Sequence, residues 1–155
     1  MRQFTLKMLE SFDRPFVPLD KWHGLTAMID SGARFPVWVA DESLLVDLGA
    51  KIKMEKAPFG GFGGRASGRL YELPYFQMGD LIYPGLNVIA CPLNVPCEII
   101  VSSTMLKHMR CTIDFEDYDL TITIPDNQSN VRNVTIEDKN GHLHVLCHSA
   151  EEGLQ

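Results

Sequence analysis

The pattern that most restricts this chain is alternation. Phe4, Leu6 and Met8 alternate with Gln3, Thr5 and Lys7, and Leu120, Ile122 and Ile124 alternate with Thr121 and Thr123. A period of two places all the apolar side chains of a run on one face of an extended strand. Between these runs lie Leu25-Thr26-Ala27-Met28-Ile29, Phe35-Pro36-Val37-Trp38-Val39 and Glu98-Ile99-Ile100-Val101, with more strand-forming sequence in 65–76, 80–91 and 111–115. The tail reads as a hairpin: Val131 to Glu137 and His142 to Cys147 flank Asp138-Lys139-Asn140-Gly141, and Asn-Gly tolerates the positive φ angles of a tight turn. Two short helical stretches are expected. Residues 41–49 form one turn closed by Gly49. Ser102 to Met109 forms a helix in which Ser102 or Ser103 accepts from the first free amides. The expected fold is therefore all-β: a closed, barrel-like sheet with one short helix near 102–109 and a C-terminal hairpin.

A length of 155 residues points to one domain, with a core over 1–124 and the hairpin of 125–155 packed on it as an extension. Pro125 to Asn130 is where such an extension would hinge. Fourteen basic against twenty acidic residues leave a net charge of −6, the wrong sign for a nucleic-acid partner, which needs a basic stripe. No apolar run is long enough to span a bilayer, so no membrane partner is expected. The start, MRQFTLKMLESFDRPF, mixes charges into its apolar positions and lacks the core of a signal peptide, which suggests a cytoplasmic protein. Cys91, Cys97, Cys111 and Cys147 make no CxxC pair and are expected as free thiols.

The chemistry concentrates at Asp30-Ser31-Gly32. A carboxylate leaves the end of an apolar strand. The hydroxyl can bond to nearby backbone, and the glycine lets the chain turn tightly against a neighbour. The triplet alone also fits a surface turn, but Ala27-Met28-Ile29 before it and Ala33 after it argue for a semi-buried one. Further on, Gly60-Gly61-Phe62-Gly63-Gly64 carries four glycines in five positions, a tip built for positive φ or close approach.

The segment Ala27 to Ala33 resembles the catalytic loop of retropepsins, the single-domain aspartic proteases of retroviruses and their cellular relatives. The glycine tip resembles their flap, and Ile99-Ile100-Val101-Ser102 resembles their third landmark, with Ser102 where a glycine is expected. The resemblance covers about residues 20–124. It implies a retropepsin (acid protease) fold and an aspartic endopeptidase that uses no cofactor and no metal. The chain has a single Asp-Ser-Gly triplet, so the resemblance implies a homodimer in which two copies of Asp30 meet across a two-fold axis. Ser31, Gly32 and Ala33 would support that loop. Gly60, Gly61, Phe62, Gly63 and Gly64 would close over an extended peptide or protein substrate.

Other residues have plainer readings. His142 and His144 share a strand face and could bind a metal, but Cys147 and His148 fall out of step with them. His23 beside Trp22 reads as structural. Arg34 is either a solvated charge, a partner for an acidic residue near the dimer interface or a substrate contact. Asp114, Glu116, Asp117 and Asp119 read as a solvated turn, since a calcium loop would need a glycine and fixed spacing. A non-catalytic module of the same fold, and a metal enzyme built on the tail histidines, stand as rivals.

Overall fold

A computed structural model describes residues 2–10, 14–61, 64–107, 109–124, 132–139 and 142–149, with side-chain surroundings for all of these except 59–66 and 132–149. The strands, in chain order, begin with β1 (Arg2–Lys7), β2 (Phe16–Leu19), β3 (Leu25–Asp30) and β4 (Val37–Trp38). After helix α1 (Glu42–Asp47) come β5 (Lys51–Gly61), β6 (Gly64–Glu72), β7 (Tyr75–Met78), β8 (Leu81–Pro84) and β9 (Asn87–Ala90). The remainder are β10 (Ile99–Ser102), β11 (Arg110–Asp114), β12 (Asp119–Ile124), β13 (Arg132–Lys139) and β14 (His142–Ser149).

Seven strands form the main sheet in the order β2-β3-β10-β4-β9-β6-β5. The late strand β10 threads between β3 and β4, which are neighbours in sequence, running parallel to β3 and antiparallel to β4. Its burial explains this position. Ile99, Ile100 and Val101 are all covered, as expected of a strand with neighbours on both edges and packing on both faces. A second sheet, β1-β12-β11, lies across the core. Its inward residues Leu120, Ile122 and Ile124 are buried, and Phe4 and Leu6 pack beside them, so the sequence alternation sets its face. The core is filled by Trp22, Trp38, Phe76 and Tyr83 among aliphatic side chains, and the Tyr83 hydroxyl donates to the Met105 carbonyl at 2.6 Å. The predicted tail hairpin is found as β13 paired with β14, with β13 running beside β8 and β9, while its Asn140-Gly141 turn lies outside the described residues.

The helix is where the structure departs from expectation. Residues 103–107 form turns, and the one helix among the described residues is α1. Asp41 caps α1, its carboxylate accepting from the Ser43 amide, and Gly49 follows at φ 87°. At 102–109 the bonds run three residues apart, from Met105 N to Ser102 O and from Leu106 N to Ser103 O. Of the two hydroxyls predicted to cap a helix, that of Ser103 is spent elsewhere, on the loop that carries Asp30.

Candidate active site

β3 has two different faces. Ala27 and Ile29 point into the main core, whereas Met28 joins a separate small cluster with Phe16, Val39, Cys97 and Ile100. β10 repeats the division one strand over: Ile99 and Val101 face the main core, and Ile100 lies beside Met28. Paired residues of adjacent strands share a face. The register then puts Asp30 and Ser102 next in the row that begins with Met28 and Ile100. The carboxylate thus emerges at the end of an apolar floor bordered by Ala33, Val37 and Val95.

Asp30 is half-buried, while Ser31 and Gly32 are exposed. The Gly32 amide donates to Asp30 Oδ1 at 2.9 Å, and the Ala33 amide donates to the Asp30 carbonyl at 3.2 Å. A Cβ on residue 32 would sit 3.3 Å from Asp30 Oδ1, which gives the glycine a local reason. The loop is then clamped from the far side. Ser103 donates to the Ala33 carbonyl from both its amide (3.0 Å) and its hydroxyl (3.1 Å), and the Thr104 hydroxyl donates to the Arg34 carbonyl at 2.8 Å. At the other end of β3, the Thr26 amide donates to Glu98 Oε2 and the Glu98 amide to the Thr26 carbonyl, both at 3.0 Å. Burial, reinforced by the nearby Glu98 charge, pushes the Cys97 thiol up to about 11, so it serves as packing on the floor.

The long β5–β6 hairpin carries the glycine tip. Its ladder runs from Lys51 opposite Glu72 to Gly61 opposite Gly64, placing Gly60, Gly61 and Gly64 at its far end. Phe62 and Gly63 lie outside the described residues. The stem is anchored at Gly68, where a Cβ would collide with the Ala90 carbonyl, and by an ionic cluster. Arg69 meets Glu55 at 3.0 Å and Glu42 of α1 at 3.4 Å, and the Tyr71 hydroxyl donates to Glu42 at 3.1 Å. The bond to Glu55, then that to Glu42, raises the Arg69 guanidinium above its usual value.

The structure thus gathers Asp30, Ser31, Gly32 and Ala33 into one clamped turn and puts Gly60, Gly61 and Gly64 on a separate hairpin. Sequence reasoning missed the Ser103–Thr104 clamp. Its signal was present, three hydroxyls following an apolar strand, but that run also spells a helix cap. Among the described residues no group of His, Cys, Asp and Glu could hold a metal ion, and the side chains of His142, His144, Cys147 and His148 lie outside them. Arg34 and His23 are exposed, and His23 adopts a positive φ of 57° in the turn before β3. In the acidic stretch, Asp114 Oδ1 accepts from the Glu116 and Asp117 amides, so it is a turn.

A threaded β10 beside an aspartate-bearing strand, with a long hairpin between them in sequence, defines a retropepsin-like fold. The chain is similar to the crystal structure of a retropepsin-like aspartic protease from Rickettsia conorii, with a TM-score of 0.53 over 79% of this chain and 91% of that one. Their sequences are 10% identical, so the likeness is one of fold. No protein-family model matches the chain, and no curated protein sequence does.

Proposed function

We propose that this chain is an aspartic endopeptidase that hydrolyses extended polypeptides as a homodimer, with Asp30 catalytic in each subunit. The observation that carries the reading is the loop itself. One carboxylate, held on one oxygen by the Gly32 amide, stands at the end of an apolar floor and is followed by exposed Ser31 and Gly32. One chain supplies half of an aspartate pair, and a second copy supplies the other half.

Two carboxyl groups in contact cannot both ionise, so the pair holds one proton between them. The ionised member takes a proton from a bound water as that water attacks the scissile carbonyl. The protonated member donates to the carbonyl oxygen. Water is the nucleophile, so no covalent intermediate forms. Ser31 would tie the two loops together, and Gly32 lets them approach. The glycine tip, Gly60 to Gly64, would close over the peptide, exclude water and offer backbone amides to the substrate strand. The floor of Met28, Ile100 and Val37 suits apolar side chains beside the cleaved bond.

The test compares wild type with Asp30→Asn on a peptide library between about pH 4 and 7. Wild type is expected to cleave, and Asp30→Asn to lose about a thousandfold or more in kcat/KM while it still dimerises. A second reading, a non-catalytic module that dimerises or binds peptide, draws on Ser102, whose buried side chain occupies the landmark where retropepsins carry glycine. Equal inertness of both proteins, with dimerisation intact, would favour it.

A further inference from the structure

The outer sheet carries a feature that the aspartate site does not use. Its edge strand β11 has Arg110, Cys111, Thr112 and Ile113 all exposed. Ile113 is 38% exposed and shares one face with Cys111, and Phe115, 48% exposed, lies in the turn that follows. Cys111 pairs with Ile122 and Ile113 with Leu120, both wholly buried, so the sheet's apolar face runs past the core at this edge. An exposed apolar edge strand is a template for another strand. The opposite edge, β1, comes up against β2 of the same chain.

The charges say which strand fits. Across the sheet, Lys7, Asp119 and Asp114 form one row. Lys7 meets Asp119 at 2.7 Å, which leaves two carboxylates directly opposite each other with a single cation on one side. The other side of Asp114 is the open edge. Arg110, four residues earlier on β11, makes no ion pair among the described residues. The next row, Thr5, Thr121 and Thr112, is a threonine ladder whose first two hydroxyls lie 3.0 Å apart.

We infer that β11 pairs antiparallel with β11 of a second copy, centred on Thr112, to make a continuous six-stranded sheet. In that register the partner subunit's Arg110 lies opposite Asp114 and completes the row, and the same pair forms again by symmetry. Thr112 meets the partner subunit's Thr112, extending the ladder through the axis. On the other face Cys111 meets the partner subunit's Ile113. A five-residue strand with a cation at one end and an anion at the other is self-complementary only when antiparallel. The inference rests on the homodimer of the proposed function and adds a requirement to it: one two-fold axis passes both through Thr112 and between the two copies of Asp30.

Sedimentation of Arg110→Asp is expected to show dimerisation weakened on the order of tenfold or more. Asp114→Arg should do the same, and an equimolar mixture of the two variants should recover dimers, because each supplies the charge the other lacks. Asp114 also caps its own turn, so a second, independent probe is needed. In a Cys111→Ser background, Thr112→Cys faces itself at about 5 Å between Cα atoms, within reach of a disulfide. It should cross-link two copies on mild oxidation, whereas Thr5→Cys on β1 should not. A wild-type dimer that Arg110→Asp leaves intact, with no Thr112→Cys cross-link, overturns this interface and leaves the protease reading standing. Variants that dissociate the dimer while the monomer still cleaves peptide support the interface and overturn the dimeric protease. A chain that never dimerises overturns both.

Discussion

The two faces of the β3–β10 pair are made from the same short strands and do opposite work. On one face Ala27, Ile29, Ile99 and Val101 interlock with the main core around Trp38 and Tyr83. On the other, Met28 and Ile100 belong to a small cluster that leads to Asp30 and Ser102 at the strand ends. Both faces are packed, but only the small cluster runs out to the strand ends where the carboxylate stands. Here the large cluster fixes the backbone, and the small cluster, buried in its turn, ends at a half-buried carboxylate on a rigid mount. The exposure of Ser31 and Gly32 follows from this division, as does the need to hold the loop by hydrogen bonds rather than by packing.

If the division is real, neighbouring isoleucines should behave differently. Ile99→Ala empties a wholly buried position in the main core and should cost about 3–4 kcal/mol in urea unfolding. Ile100→Ala, slightly exposed on the floor, should cost about 2 kcal/mol and also raise KM for peptides with apolar side chains at the cleaved bond. Equal losses of stability with unchanged KM would erase the distinction between the faces. Cys97 probes the floor chemically. With its thiol pushed from 9.0 to about 11, it should alkylate about a hundredfold more slowly near pH 8 in the native protein than in the unfolded chain. Fast native alkylation would mean that the floor is open to water. The clamp is the next and smaller test: Thr104→Ala removes the bond to the Arg34 carbonyl and should cost about 1 kcal/mol, while kcat falls more than KM changes. A change confined to KM would place Thr104 outside the support of the aspartate loop.

The division also explains what the sequence could and could not disclose. The strand of residues 118–124 and the tail hairpin were legible because strict alternation and an Asn-Gly pair encode them locally. The turn at Asp30 was legible because apolar residues on both sides of a polar triplet argue against a free surface loop. The helical turn at 41–49 was legible too and is α1, but the turns that replace a helix at 102–109 were not. Ser102-Ser103-Thr104 is a good helix cap by composition, yet Ser103 and Thr104 serve backbone carbonyls about seventy residues away in sequence, at Ala33 and Arg34. A single sequence cannot rank that distant competition against local capping. The same blindness covered Arg69. Its partners Glu42 and Glu55 lie 27 and 14 residues away, and nothing in the spacing announces them. The self-complementary ends of β11 were present as Arg110 and Asp114, but they acquire meaning only once β11 is known to be an edge.

The smallest expected effect bears on the face of the site itself. Ser102 is fully buried, and its hydroxyl finds no hydrogen-bond partner among the described residues. A buried hydroxyl left unpaired carries its desolvation cost without return, so Ser102→Ala should be neutral or raise stability by up to about 1 kcal/mol. The sign is informative because Ser102 pairs in register with Asp30. Measured at concentrations where the chain is monomeric, a gain shows that one subunit leaves this hydroxyl idle. Repeated at concentrations where the chain dimerises, a loss in place of that gain shows that assembly supplies the missing partner. Ser102 would then belong to the dimer's chemistry rather than to the packing of β10. A loss at both concentrations would contradict the geometry of the single subunit and would place Ser102 with the packed face, against the register that sets it beside Asp30.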